Sequence, residues 1–156
     1  MRHVERYEVI WWRGHKFDRK TVAALEWAEK KSGVQVQVSQ GSYNPGGVSA
    51  SGSTHALGGA VDVRCAHLSL RSKVRLLRWL KRAGFAAWRR RAVPGLWGEH
   101  IHAIQIRNAK ASVAAQGQVR AFLARRDGLA GNRLDLSFRP RPQVYWSWGR
   151  GRPVPM

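Results

Sequence analysis

The sequence predicts a single α+β domain, with a small antiparallel sheet that carries the functional site and helices that flank it. Its 156 residues are enough for one domain with a real core. Residues 34–40 alternate valine with polar side chains, as in a half-buried strand, whereas residues 69–83 repeat apolar side chains at helical spacing. We therefore expect one domain over residues 1–156.

The first elements expected are a short strand and a helix. Residues 7–12 are apolar and aromatic enough for a strand, and residues 13–16 are typical of a turn. Asp18 is a suitable N-cap, and the helical pattern that follows it ends at Gly33. This predicts a helix of about four turns that packs by one face.

A strand and a long loop should come next. The valines of residues 34–40 indicate the buried side of the strand, and we expect its polar face to end in Gln40. Residues 41–52 are rich in Ser, Asn, Pro and Gly, which predicts a loop. Such a loop can hold ligand residues on a rigid frame.

A core strand is predicted at residues 60–63. Val61 and Val63 would enter the core, so Asp62 would face a cleft on the other side. The preceding glycine pair, residues 58–59, allows close backbone approach or a positive φ.

The second predicted helix spans residues 69–83 and is closed by Gly84. Val74, Leu77 and Leu80 are expected inside. Its basic side chains are expected on a solvated outer face: Lys73, Arg75, Arg78, Lys81 and Arg82.

Residues 85–88 predict a strand, followed by an exposed basic turn at residues 89–91. Residues 100–106 alternate again, with isoleucines toward the core and His100, His102 and Gln105 near the rim of the site.

The C-terminal third begins with a last helix at about residues 111–125. From residue 127 onward, glycines and prolines predict an irregular strap, frayed at residues 150–156.

Two separated stretches have the chemistry of a metal site: residues 53–62, which contain His55 and Asp62, and residues 97–102, which contain Glu99, His100 and His102. Two imidazole nitrogens and one carboxylate oxygen would fill three of the four tetrahedral positions of a zinc ion. The fourth would remain for water, which is typical of a catalytic rather than a structural zinc.

The chain is strongly positive, since it has 28 Lys and Arg residues but only 9 Asp and Glu residues, which gives a net charge of +19. Such a field favours an anionic target, either nucleic acid or an anionic cell-wall polymer. Cys65 is the only cysteine, which excludes a disulfide framework and a thiolate-rich finger, and we expect it in the core.

No signal peptide and no apolar run of membrane length are evident. We therefore expect synthesis in the cytoplasm and no membrane insertion. A protein of this kind that acts on the cell wall would reach it by phage lysis, in a virion or by another export route.

At residues 53–62 the sequence matches the pattern Ser-x-His-x-x-Gly-x-Ala-x-Asp, and residues 99–102 match a second motif, Glu-x-x-His. In these motifs the chain resembles the D-Ala-D-Ala metallopeptidases. That family includes D,D-carboxypeptidases, the D,D-dipeptidases of vancomycin resistance and the L-alanyl-D-glutamate endopeptidases of phage endolysins, and it shares a fold with the Hedgehog signalling domain.

The resemblance implies that His55, Asp62 and His102 bind Zn²⁺, and that Glu99 is the general base for a zinc-bound water that attacks the scissile amide. Some relatives instead use a histidine two residues before the last ligand, and His100 occupies that position here. We favour Glu99 as the base, with His100 assisting it at the developing oxyanion.

Two more residues have expected roles. Gln40 would donate a hydrogen bond to the carbonyl oxygen as it gains charge, a position where relatives carry Arg or Gln. Ser53 would brace the loop or a ligand rather than act as a nucleophile. Trp97, Trp146 and Trp148 are candidates for the walls of a substrate groove, whose specificity would come from residues 43–52 and 89–97.

The expected function is a zinc-dependent endopeptidase of endolysin type that cuts peptidoglycan stem peptides and acts as a monomer on an anionic wall. The alternatives are a D,D-carboxypeptidase that releases terminal D-Ala, a Hedgehog-like zinc domain without catalysis, and a basic nucleic-acid-binding protein. Retention of Glu99 disfavours the non-catalytic domain. The lack of a helix-turn-helix, finger or RNA-binding motif disfavours nucleic acid.

Overall fold

The computed structural model describes residues 5–45, 53–136 and 143–156. Within these ranges a 3-10 turn at Glu5–Tyr7 precedes three helices and eight strands. The helices are α1 (Arg19–Ser32), α2 (Leu70–Arg82) and α3 (Val113–Leu123). The strands are β1 (Val9–Trp12), β2 (His15–Asp18), β3 (Val38–Gln40), β4 (Ala60–Arg64), β5 (Phe85–Arg90), β6 (His100–Gln105), β7 (Val144–Ser147) and β8 (Arg152–Pro155).

The centre of the fold is a four-stranded antiparallel sheet in the order β3-β4-β6-β5. Helices α1 and α2 bury one face in the main core, against side chains such as Val61, Val63 and Ile101. Helix α3 packs on the opposite face through Ala115 and Phe122. The architecture is therefore α+β with a small antiparallel sheet, as the sequence predicts, and α3 shares a face with the candidate site.

The predicted first helix is confirmed, including both of its ends. Asp18 caps α1 by accepting a hydrogen bond from the backbone N–H of Thr21 at 2.9 Å. At the other end Gly33 has a φ of 65° and its N–H bonds the Glu29 carbonyl.

The predicted turn at residues 13–16 is wrong for its second half. His15 and Lys16 belong to β2, which forms a hairpin with β1 through the two residues Arg13 and Gly14. Both of these have positive φ, at 52° and 81°. Such a two-residue connection matches the right-handed twist of the paired strands, so the hairpin needs no longer turn.

The predicted strand at residues 34–40 is shorter in the structure, although Val34 and Val36 are buried as expected. Only Val38–Gln40 pairs with β4. Earlier in the segment, side chains replace a partner strand: Glu29 accepts from the Val36 N–H and Arg13 donates to the Val36 carbonyl, each at 2.6 Å. These bonds satisfy the backbone without extending the ladder.

A β-bulge determines where Gln40 points. Val38 is paired with Val63 but Gln40 is paired with Asp62, so two residues of β3 span one step of β4. Strict alternation would place Gln40 on the side of the buried valines. The bulge turns it to the side of Asp62.

Helix α2 has the predicted ends, with Ser69 as its N-cap, but its buried face differs from the expected one. Lys73 is buried together with Leu76 and Leu80, whereas Val74 is 45% exposed. The predicted positions of Lys73 and Val74 are therefore wrong. The Lys73 ammonium is accommodated because it pairs with a carboxylate, described below.

The predicted exposed turn at residues 89–91 is also wrong. Strand β5 continues through Arg89 and Arg90, and only Arg91 is fully on the surface. Arg90 is 8% exposed, with its guanidinium 4.8 Å from the ring centroid of Trp88.

The last part of the tail, residues 143–156, is more regular than predicted. Strands β7 and β8 form an antiparallel hairpin, so residues 144–147 and 152–155 are neither irregular nor frayed. Trp146, expected in a substrate groove, is instead buried in the main core. Its ring packs edge-on against that of Trp27, with the ring centroids 6.0 Å apart. In the described ranges, no helix has the length and apolar character needed to cross a bilayer.

Candidate metal centre

The antiparallel register aligns the predicted site residues in one row across the sheet. Asp62 on β4 is opposite His102 on β6, Gln40 on β3 is opposite Asp62, and Trp88 on β5 is opposite His102. Directly paired residues point to the same face, so these four side chains share one surface. We call this the metal row.

His55 reaches the metal row from a loop that is fixed at several points. The backbone N–H of Asn44 bonds the His55 carbonyl at 2.8 Å, and the N–H of Gly58 bonds the Lys110 carbonyl at 2.7 Å. A Cβ on Gly58 would come within 2.9 Å of Asp18 Oδ2, and Gly59 has a φ of 82°. The glycine pair is thus required for the close approach and positive φ that the sequence suggests.

His55, Asp62 and His102 form a compact buried group. His102 Nδ1 lies 2.7 Å and His55 Nε2 3.3 Å from the same oxygen, Asp62 Oδ1. All three possible ligand atoms lie within 4.8 Å of one another. The residues are 1%, 8% and 7% exposed in chain order. This group could hold a metal ion.

The imidazole of His55 is oriented for ligation. Its Nδ1 lies 2.8 Å from the Gly41 carbonyl, which can only accept, so Nδ1 carries the proton and Nε2 has the lone pair. Nε2 is buried and makes no hydrogen bond of acceptable geometry with any described residue, despite its 3.3 Å distance to Asp62. A buried nitrogen with an unused lone pair is what a cation requires.

His102 is supported by a residue that the sequence gives no reason to select. Its Nε2 lies 2.6 Å from Gln118 Oε1, and Gln118 Nε2 donates to Thr54 Oγ1 at 3.3 Å. Both nitrogens of His102 thus face acceptors, Nε2 facing Gln118 Oε1 and Nδ1 facing Asp62 Oδ1, and Nδ1 is the nitrogen that a metal ion beside Asp62 would use in place of its proton. Gln118 belongs to α3, so it links the loop before His55 to the imidazole of His102.

Asp62 is kept ionised by its neighbours. Burial opposes its ionisation, but the hydrogen bond with His102 Nδ1, together with the neighbouring His55 imidazole, outweighs burial and holds the pKa of Asp62 well below its usual value. The carboxylate is thus in the form that binds metal.

His100 lies beside this group, on the same face as His102, as strand alternation predicts. Its Nδ1 is 2.7 Å from the Gly98 carbonyl, which assigns the proton to Nδ1 and leaves the lone pair on Nε2. Nε2 is 3.9 Å from Asp62 Oδ1. The free lone pair of His100 therefore faces the site.

Glu99 lies in the loop immediately before β6 and is among the residues that line the cleft over the site, but its carboxylate is paired with two cations. Lys73 Nζ approaches its two oxygens at 2.9 and 2.8 Å, and Arg89 Nε lies 2.7 Å from Oε1. Lys73 belongs to α2, and Arg89 points to the α2 side of the sheet. Hydrogen bonds from Lys73 and then Arg89 lower the pKa of Glu99.

A cleft of about 730 Å³ opens over the metal row. Its lining includes Gln40, Trp97 and His100, together with Gln118. Trp148, also expected in the groove, is half-buried and is not among the described residues that line the cleft. Of the expected specificity loop at residues 43–52, residues 46–52 lie outside the described ranges.

Three other expected positions have clear outcomes. Cys65 is fully buried in the core, as predicted. Gln105, expected near the rim of the site, is instead 1% exposed, with its Oε1 accepting from Asn108 at 2.9 Å. Ser53 is exposed, and its backbone carbonyl accepts from the N–H of Ala56.

Comparison with known proteins gives no further identification. No family model matches the chain, and no curated protein or solved structure matches it significantly.

Proposed function

We propose that the protein is a zinc-dependent peptidase that hydrolyses peptidoglycan stem peptides. The observation that carries the proposal is the buried His55–Asp62–His102 group beside a cleft that Asp62 and His102 line, with one imidazole nitrogen lacking a hydrogen bond among the described residues. The substrate class comes from the resemblance of residues 53–62 and 99–102 to the D-Ala-D-Ala metallopeptidases. The same resemblance leads us to propose a Hedgehog-like fold.

Zinc is the metal that this donor set favours. Two imidazoles and one carboxylate match the three protein ligands of catalytic zinc sites. When bound, zinc would supply a Lewis acid that polarises the scissile carbonyl and acidifies water. The side chains of the chain would then orient the peptide and move protons.

His100 is the better placed proton acceptor in this geometry. Its unprotonated Nε2 faces the site, 3.9 Å from Asp62 Oδ1, and can reach a neighbouring water. The Glu99 carboxylate is paired with two cations, which makes it a weak base. We therefore propose His100 as the base and Glu99 as a residue that fixes the start of β6.

Gln40 is proposed to assist at the carbonyl oxygen. The bulge in β3 brings it beside Asp62, and it lines the cleft while only 6% exposed. An amide N–H held in such a place stabilises negative charge that develops on the substrate oxygen.

The net charge of +19 would retain the protein on an anionic cell wall. This attraction is a long-range effect of exposed charge, so it should weaken as salt screens it. Action on the wall would follow release during phage lysis, from a virion or by another export route.

The decisive experiment combines metal content with hydrolysis of purified peptidoglycan, with and without a chelator. We expect one zinc per chain and chelator-sensitive release of new amino groups, whose fragment masses would identify the bond. Zinc without cleavage of any wall would instead favour a non-catalytic Hedgehog-like domain. A chain that binds no metal would contradict the proposal.

The base is tested by two variants that leave the three ligands in place. His100→Ala should lower kcat by about 10²–10⁴-fold while zinc remains bound. Glu99→Gln should retain most turnover and mainly lower thermal stability. If Glu99→Gln is inactive with full zinc content while His100→Ala is active, the base is Glu99.

A further inference from the structure

A second row of side chains runs beside the metal row on the same face of the sheet. Arg64 on β4 is opposite His100 on β6, and His100 is opposite Arg90 on β5. Each lies two residues away from Asp62, His102 or Trp88 on its own strand, so it points to the same side. All three second-row residues line the cleft. We call this the cationic row.

Arg90 is the unusual member of the cationic row because it is a buried cation. It is 8% exposed, and within the described ranges its guanidinium has no hydrogen bond and no carboxylate within 4 Å. Asp127, Asp62 and Asp135 attract it only from a longer distance. An arginine buried without a direct partner costs free energy unless another anion completes the site.

The Arg90 side chain is held in place rather than loose. Its guanidinium lies over Trp88, at 4.8 Å from the ring centroid. The Trp88 Nε1–H donates to the Arg126 carbonyl at 3.0 Å, and its ring stacks on His102 with the planes 16° apart. The same tryptophan therefore positions both a metal ligand and the cation.

Arg64 lies at the other end of the cationic row and is exposed. Its backbone N–H is bonded to the Gln37 carbonyl at 2.8 Å, which fixes the strand at this point. Among the described residues, no side-chain hydrogen bond or ion pair occupies its guanidinium. Two arginines thus flank His100 and face one cleft.

We propose that Arg90, with Arg64 on the other side of His100, binds a free carboxylate of the substrate one residue away from the scissile bond. The assignment rests on the proposed peptidase function, whose substrate it specifies. A guanidinium binds a carboxylate through parallel hydrogen bonds, with a fixed geometry that an ammonium lacks.

The spacing of the two rows agrees with this assignment. Residues two apart on a strand have Cα atoms roughly 6.5 Å apart, and the Arg90 guanidinium lies over Trp88 of the metal row, so the two rows are direct neighbours. One extended residue spans about 3.5 Å, and a charge-assisted hydrogen bond adds about 2.8 Å. A peptide with its scissile carbonyl at the metal row can therefore place the next carboxylate at the cationic row. Either a C-terminal or a side-chain carboxylate has the required chemistry.

The test uses synthetic stem peptides in matched pairs. One pair differs only in a C-terminal carboxylate or amide, and the other only in a side-chain carboxylate or amide next to the cleaved bond. The wild-type enzyme should lose about 10- to 100-fold in kcat/KM, mainly through KM, when the recognised carboxylate is amidated. Whichever pair shows this loss identifies the source of the carboxylate.

Arg90→Gln should cause the same loss on the carboxylate substrate and little further loss on the amide, since the two changes remove one interaction. Arg64→Gln should act in the same direction with a smaller effect. The matched control is Arg91→Gln, which removes an equal charge from an exposed neighbour outside the cleft lining and should change neither constant. An Arg90→Gln variant that lowers kcat equally on acid and amide would overturn the carboxylate assignment.

Binding by calorimetry separates this proposal from the peptidase proposal. N-acetyl-D-alanine should bind the zinc-loaded wild type more tightly than its amide does, and Arg90→Gln should abolish the difference. Arg90→Lys, which keeps the charge, guards against a folding defect and should retain part of the preference. If binding depends on the carboxylate but no hydrolysis is seen, the cationic row is supported as a carboxylate-binding site and the peptidase proposal is contradicted. Hydrolysis of acid and amide at equal rates would overturn the cationic row alone.

Discussion

Asp18 and Asp62 are both buried among polar side chains. They differ in whether the polar atoms around them all have hydrogen-bond partners. Asp18 accepts hydrogen bonds from the backbone N–H and the hydroxyl of Thr21, each at 2.9 Å, and from Asn108 at 3.1 Å. Asn108 also donates to Gln105, whose own amide donates to the Lys20 carbonyl. We call these residues the Asp18 network. Beside Asp62, in contrast, His55 Nε2 is left without a hydrogen bond among the described residues.

The electrostatics of the two carboxylates differ in the same sense. Burial raises the pKa of Asp18, and hydrogen bonds from Thr21 and Asn108 only partly offset it. At Asp62, the hydrogen bond with His102 and the neighbouring His55 imidazole prevail over burial and lower the pKa. Neutral donors complete a structural network, whereas imidazoles with a lone pair left over are suited to a cation. Burial of an aspartate alone would not separate these roles.

The largest effect should come from removing the carboxylate of the metal row. Asp62→Ala is expected to abolish hydrolysis and to lower zinc affinity by more than the roughly 10- to 100-fold typical of residues that only support a ligand. Zinc titration and metal content measure it. The control is His67→Ala, which alters an exposed histidine on the cleft and should leave zinc binding unchanged. Equal zinc affinity in Asp62→Ala would remove the distinction between the two aspartates.

In the Asp18 network the corresponding change should affect folding instead. Asp18→Ala removes the N-cap of α1 and leaves buried donors on Thr21 and Asn108, which should lower the free energy of unfolding by about 2–4 kcal/mol. Urea denaturation measures this loss. Zinc bound per folded chain should remain as in the wild type, and a selective loss of zinc would show that Asp18 also supports the metal centre.

A smaller effect is expected at Gln118, which supports His102 without being a ligand. Gln118→Ala should weaken zinc binding by about 10- to 100-fold because His102 loses the acceptor for its Nε2–H. Competition with a chelator of known affinity gives the number. Gln116→Ala is the control on the same helix, since Gln116 bonds the Ala111 carbonyl instead. Equal losses in both variants would mean that α3 as a whole was disturbed.

A further effect is expected in the pH dependence of stability at Lys20, which adjoins the Asp18 network. Burial lowers the pKa of Lys20 from 10.5 to about 8, against the attraction of Asp18. Between these values the unfolded chain binds a proton that the folded chain does not, so stability should rise as pH increases from 8 to 10.5. Urea denaturation at several pH values should show this rise in the wild type relative to Lys20→Met. Parallel curves for the two proteins would contradict it.

Much of the framework can be predicted from the sequence because its signals are local. The caps of α1, the alternation around Asp62 and the glycine pair at residues 58–59 each determine the conformation of a few neighbouring residues. The sequence does not predict the C-terminal hairpin because the glycines and prolines around its short strands are typical of irregular structure. The burial of Trp146 cannot be predicted either, because it depends on contact with distant residues such as Trp27.

The sequence by itself determined which residues have metal-binding chemistry and on which strand faces His100 and His102 lie. Only the tertiary structure decided which other side chains surround and hydrogen-bond these residues. A bulge reverses Gln40, α3 brings Gln118 to His102, and Lys73 with Arg89 draws the Glu99 carboxylate to the α2 side. The physical reason is that periodicity fixes the direction of a side chain along its own element. The hydrogen-bond partner of a buried polar group is chosen by whichever element packs against it.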